Sequence, residues 1–119
     1  MFHRRTCEIQ VFVLTESTVE RILDTKNTAE QDFVTLAKSL THAALRNSME
    51  AVDRRTANLR EAIKGITIEH DAIREMPDCL DEVVRLVNHE QQLRTERAIL
   101  TNRRQQLLEL IRGKTVTAS

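Results

Sequence analysis

The sequence predicts an all-α fold, an antiparallel bundle of three long helices in a single domain. The 119 residues include two Gly and one Pro, too few to punctuate a β-sandwich or barrel. Charged residues make up 30% of the chain and aromatic residues 3%, a balance typical of long amphipathic helices. We assign the domain to residues 1–119, with an N-terminal extension over 1–14 and a mobile tail over 114–119.

The first helix begins at a capping box, Ser17-Thr18-Val19-Glu20. Apolar residues then recur at steps of three and four, as in one buried helical stripe. The stripe contains Val19, Ile22, Leu23, Ala29, Phe33, Leu36, Ala37, Leu40, Ala43 and Ala44. Its end is poorly marked, because cap-like sequences occur at 47–50, 53–56 and 58–61. The first turn is therefore placed within 47–58.

The second helix contains the single proline, Pro77. Its apolar stripe comprises Leu59, Ile63, Ile66, His70, Ile73 and Met76. Proline lacks an N–H and clashes with the carbonyl four residues earlier, so Pro77 either starts a new helix or kinks a continuous one. Apolar periodicity resumes at Leu80, which favours a kink. A second turn is expected around 90–96, and Gly113 is expected to end the last helix in a left-handed conformation.

Charge is unevenly distributed although the formal net charge is zero. Residues 68–92 contain seven acidic and two basic residues, and residues 93–114 contain six basic and two acidic residues. The two segments are predicted to fold back against each other, the alternative being that one of them is a docking face. Leucines 86, 93, 100 and 107 recur every seven residues, but charged neighbours make this column one edge of a bundle stripe rather than a parallel dimer seam.

The residue types argue for a binding protein rather than an enzyme. No histidine has a second ligand three or four residues away, so no helical metal site is predicted, and no cofactor is expected. His70 is interpreted as a core residue. The doublets Arg54-Arg55 and Arg103-Arg104 are interpreted as solvated faces, and nucleic-acid binding is not expected. With two cysteines and no long apolar run, we expect a cytoplasmic protein without a membrane span.

Two short segments carry a family resemblance. Val19-Glu20-Arg21-Ile22-Leu23 and Ile73-Arg74-Glu75-Met76-Pro77-Asp78-Cys79 resemble the tubulin-binding cofactor A family. The resemblance implies a three-helix bundle with a proline in its second helix, and a monomeric, cytoskeleton-associated chaperone that captures β-tubulin before heterodimer assembly. The partner-binding residues that it implies are Arg21, Met76, Pro77, Asp78 and Cys79.

Two other hypotheses remain open. The segment from Val87 to Leu108 resembles the substrate-binding helix of flagellar and type III export chaperones. The heptad column of leucines suggests instead an antiparallel coiled-coil homodimer that serves as a scaffold.

Overall fold

The computed structural model describes the backbone of residues 18–118 and the side chains of residues 18–114. A helical turn covers residues 18–23. Three helices follow: α1 (Glu30–Lys38), α2 (His42–Ile73) and α3 (Leu80–Ala118), with a 3₁₀ turn, Pro77–Cys79, between the last two. This part of the chain contains no strand, so the predicted all-α class is confirmed. The predicted extension over 1–14 lies outside the described residues.

Helices α2 and α3 form a long antiparallel hairpin. Hydrogen bonds join Arg104 to Asp53, Arg55 to Glu96 and Thr67 to Glu90. Residue numbers thus rise along α2 as they fall along α3. The 39 residues of α3 correspond to about 58 Å at 1.5 Å per residue, so one continuous helix connects the two ends of the hairpin.

The core lies at the end of the hairpin away from the 3₁₀ turn, which we call the open end. There α1 and the helical turn pack on both long helices. The core cluster comprises Ile22, Phe33, Ala37, Leu45, Val52, Leu59, Leu100 and Leu107. Burying a large apolar side chain contributes about 1.5–3 kcal/mol, so most of the hydrophobic stabilisation is concentrated at this end.

Local chemistry accounts for the breaks that precede α2. Asp24 Oδ1 accepts the backbone N–H of Lys26 and of Asn27, an Asx arrangement that ends the helical turn. Thr41 Oγ1 accepts the N–H of Ala44 at 3.2 Å and caps the start of α2. These two polar side chains divide the N-terminal apolar stripe into short pieces.

The three helices that form therefore differ in length and bounds from the three predicted. The predicted first helix is interrupted at 24–29 and again at 39–41, and three layers pack together at the open end alone. The predicted turn within 47–58 is wrong, because this segment lies inside α2. Its Ser and Asn residues look like caps in sequence, yet Ser48 Oγ donates to the carbonyl of Ala44 one turn earlier, which a helix interior accommodates.

The predicted kink at Pro77 is also wrong. Pro77 begins the 3₁₀ turn between α2 and α3, a position where its missing N–H costs nothing. Met76 before it is extended, with φ −82° and ψ 120°, as the residue preceding a proline prefers. The expected turn at 90–96 is helical, and α3 continues past Gly113, with no positive φ in the part of the chain described.

The predicted pairing of the acidic and basic segments is wrong as well. The chain reverses at 74–79, inside the acidic segment 68–92, so both arms of the reversal are acidic. The basic segment 93–114 continues along the same helix, α3, and faces α1 and α2 instead. The molecule is consequently polarised along its length, with formal charge −5 over residues 68–92.

Candidate functional site

The closed end of the hairpin, residues 68–92, combines acidic charge with exposed apolar side chains; we call it the hairpin tip. Every large apolar side chain that is exposed in the described part of the chain lies in it. These are Ile68, Met76, Leu80, Val84 and Val87, exposed by 64%, 53%, 69%, 51% and 39% respectively. Exposed apolar residues gathered in one place indicate an interaction surface, whereas scattered ones do not.

Three of the exposed side chains form a continuous line on α3. Leu80, Val84 and Val87 are spaced i, i+4 and i+7, which places them on one helical face. We call this line the tip stripe. Val83 and Leu86, between its members, are half-buried. The apolar surface of α3 at the tip is therefore wider than the hairpin contact requires.

A groove runs along the other side of the hairpin contact. Its volume is about 620 Å³, and its lining residues are Glu69, Ala72 and Ile73 from α2 and Glu82, Arg85, Leu86 and His89 from α3. Ala72, Ile73 and Leu86 provide apolar surface between carboxylates contributed by both helices. Small-molecule sites enclose 70–90% or more of a ligand. This groove is only partly enclosed.

Most carboxylates of the tip form no ion pair within the described residues. Asp71 lies 3.9 Å from Arg74 Nη1 and 3.7 Å from His70 Nδ1, and Glu90 binds Arg94 at 2.9 Å. Five others have no ion pair or side-chain hydrogen bond within residues 18–114. They are Glu69, Glu75, Asp78, Asp81 and Glu82. Their negative charge is available to a cationic partner.

Glu90 marks the boundary between the tip and the body of the hairpin. Hydrogen bonds from Arg94 and from Thr67 lower the pKa of its carboxyl below the ordinary 4.5, because they stabilise the ionised form. This carboxylate ties α2 to α3 through Thr67 Oγ1 at 3.1 Å. It therefore serves the hairpin, unlike the five unpaired carboxylates beyond it.

The structure separates the residues that the resemblance nominated. Met76, Pro77, Asp78 and Cys79 are adjacent in the turn at the tip, where Met76 is exposed and Cys79 half-buried. Arg21 lies in the helical turn beside Ile22, whose carbonyl binds Arg103. Residues 80 and 103 are about 35 Å apart along α3, so Arg21 lies far from the other four.

Sequence reasoning missed the tip stripe, the groove and one buried cation. The tip stripe could not be recognised as exposed, because Leu80, Val84 and Val87 fit the apolar periodicity of a core-facing helix. Arg103 was assigned to a solvated face but is 1% exposed. His70, assigned to the core, is half-buried, with 28% of its side chain exposed. The one available signal for the tip was the cluster of acidic residues around Pro77.

The described residues contain no group of three side chains placed to hold a metal ion. Within the same residues, no helix has the length and apolar character needed to cross a membrane. No family model, no curated protein and no solved structure matches this chain.

Proposed function

We propose that this chain is a non-enzymatic protein-binding module that holds a protein client at its hairpin tip. The proposal is carried by the concentration of exposed large apolar side chains at the tip. An apolar surface rimmed with charge is typical of transient protein interfaces. The open end would act as the rigid support, since the core lies there.

The client that the family resemblance suggests is β-tubulin, captured as an unpartnered subunit by a monomeric cytoplasmic chaperone. Met76 to Cys79 are the matching residues, and their position in the exposed turn supports this choice. Arg21 is left out of the proposed contact because it lies near the open end. A client subunit held by side chains of the turn and the tip stripe would bury apolar surface against an acidic rim.

The scaffold-homodimer hypothesis has less support. Its basis was the leucine column, but Leu100 and Leu107 are fully buried in the core and Leu93 packs against it. The column therefore stabilises the hairpin of one chain and is not free to form a seam. Residues 87–108 lie within one uninterrupted helix, which gives no specific support for the export-chaperone hypothesis.

The test is affinity capture from a eukaryotic lysate with the full chain as bait. We expect enrichment of β-tubulin over α-tubulin, and loss of that enrichment in the double variant Leu80→Ser/Val84→Ser. Both positions are exposed, so the variant should retain its fold, which circular dichroism verifies. The matched control is Ala57→Ser/Ala98→Ser, which changes exposed positions on α2 and α3 outside the tip.

Absence of tubulin at low salt would rule out this client. Equal capture of tubulin by the double variant and the wild type would rule out the tip stripe as its binding surface. Sedimentation of the pure protein tests the monomer. A stable dimer at the concentrations used would favour the scaffold hypothesis instead.

A further inference from the structure

The groove at the tip continues a face that is covered elsewhere in the molecule. On α3, Gln106 Nε2 donates to Glu30 Oε1 at 2.6 Å, and Arg103 lies against Phe33 with its guanidinium carbon 5.1 Å from the ring centre. Glu30 and Phe33 belong to α1, which therefore lies over the face of α3 that contains Arg103 and Gln106.

The groove residues occupy the equivalent positions three heptads away. Glu82 precedes Arg103 by 21 residues, and Arg85 precedes Gln106 by the same number. In two helices packed with a heptad period, such positions share a face. The groove side of α3 is therefore the side covered by α1 at the open end.

Helix α2 shows the same relationship. Ser48 and Ala51 are 1% and 7% exposed at the open end. Residues 21 positions further on are Glu69 and Ala72, which line the groove and are exposed. At the tip, none of the described residues covers this face.

We infer that the groove receives a helix of the partner protein, which packs as a third helix on the hairpin, and that this helix is basic and amphipathic. The inference rests on the proposed protein-binding function and specifies the partner's chemistry. The partner helix would take at the tip the place that α1 takes at the open end. Its apolar side chains would contact Ala72, Ile73 and Leu86.

The negative charge of the tip predicts a positively charged partner helix. Glu69 and Glu82 line the two sides of the groove without ion pairs among the described residues. Arg85 and His89 also line it, but the tip as a whole carries formal charge −5. Lysine or arginine beside the apolar anchors would meet the two glutamates, and the field of the tip would accelerate association.

The length of the groove determines how much helix it receives. The α3 residues that line it span 82 to 89, about 10 Å or two helical turns. A helix in such a groove is anchored through positions i, i+3 or i+4, and i+7. Two to three turns of partner helix are therefore sufficient.

The probe is a synthetic helical peptide with leucines at i, i+4 and i+7 and lysines on its other faces. A second peptide carries glutamate in place of every lysine. Titration of each peptide into the full chain is followed by calorimetry at two salt concentrations. We expect the lysine peptide to bind about ten-fold or more tightly than the glutamate peptide, and to bind more weakly at higher salt.

Two pairs of variants locate the site. Ala72→Arg fills the groove and should weaken binding of the lysine peptide by about ten-fold, whereas Ala57→Arg, on the outer face of the same helix, should leave it within about two-fold. Glu69→Lys should weaken binding, and Glu61→Lys, which makes the same charge change at an exposed position away from the groove, should weaken it less.

Failure of the lysine peptide to bind, or equal affinity for both peptides, would overturn the inference. So would unchanged affinity in Ala72→Arg. If the chain captures tubulin but does not bind the lysine peptide, the basic amphipathic partner helix is rejected and the protein-binding function is kept. Loss of both would reject the function as well. A dimer disrupted by Ala72→Arg would show that a second copy occupies the groove, and would also overturn the inference.

Discussion

Arg103 Nη2 donates a 2.6 Å hydrogen bond to the carbonyl oxygen of Thr28, 75 residues earlier in the chain. Nη1 of the same guanidinium donates to the carbonyls of Ile22 at 2.7 Å and Asp24 at 3.3 Å. Carbonyls at the end of a helical turn lack intrahelical partners. Arg103 supplies those partners from α3 and thereby holds the segment 22–28 against the hairpin.

Replacement of Arg103 should be strongly destabilising. Arg103→Ala leaves the buried carbonyls of Ile22 and Thr28 without this donor and removes the contact with Phe33, so we expect a loss of about 3–5 kcal/mol in the free energy of unfolding. Arg103→Lys keeps the charge but not the planar fork and should recover part of this loss. Urea denaturation measures the free energy of unfolding of each variant.

The neighbouring doublet residue provides the control for Arg103. Arg104 is 41% exposed in its side chain and pairs with Asp53, so Arg104→Ala should cost about 1 kcal/mol or less. Equal costs for the two alanine variants would show that burial of Arg103 is not what makes it important.

Gly65 lies in the interior of α2 without a structural need for glycine. A Cβ at this position meets no atom within 4 Å, and the backbone is helical. Gly65→Ala should therefore raise the free energy of unfolding by about 1 kcal/mol. The reciprocal control, Ala62→Gly at another exposed position of α2, should lower it by a similar amount. A decrease in Gly65→Ala would reveal a contact missed at this position.

Pro77→Ala tests whether the turn at the tip depends on proline. Because Met76 and the 3₁₀ turn already have the conformation that proline favours, the substitution should mainly increase the freedom of the unfolded chain. We expect a loss of about 0.4–1 kcal/mol in stability and unchanged helicity by circular dichroism. A clear rise in helicity would mean that α2 and α3 extend through the turn.

The pH dependence of stability should show the contribution of Glu90. Its pKa is lower in the folded chain than the ordinary 4.5, so the ionised form is favoured by folding. This stabilisation is complete above pH 4.5 and is lost as the pH falls through the folded value. As the pH falls below about 4.5, stability should fall less steeply in Glu90→Gln than in the wild type. Urea denaturation of both proteins at a series of pH values measures the difference.

Periodicity predicted helices well but could not predict their breaks. The N-terminal stripe is continuous in sequence, yet Asp24 and Thr41 use their side chains to cap local turns. Conversely, Ser48 has the form of a cap but lies in a helix interior, because its hydroxyl bonds to the turn before it. Whether a polar side chain bonds forward or backward is decided by tertiary packing, which composition and spacing do not contain.

The tip could be located from the sequence, but not its surfaces. The acidic cluster around Pro77 was visible in the sequence as a possible docking face. Val83 and Val84, by contrast, are chemically identical neighbours, and Val83 is half-buried while Val84 is 51% exposed. Their difference depends on which face of α3 turns towards α2, and this is fixed by the packing of the two helices.

The hydrogen bonds of Arg103 join residues that are far apart in the sequence. This separation affects the order in which parts of the chain are expected to fold. Contacts near the tip join residues close in sequence, so the hairpin can close from its turn with little loss of chain entropy. Segment 22–28 finds its donors about 75 to 80 residues later in the chain. During synthesis at about 5–20 residues per second, this segment emerges several seconds before Arg103 and stays without its binding site until then. Segment 22–28, although made before α3, is therefore expected to be fixed in place after the hairpin has closed.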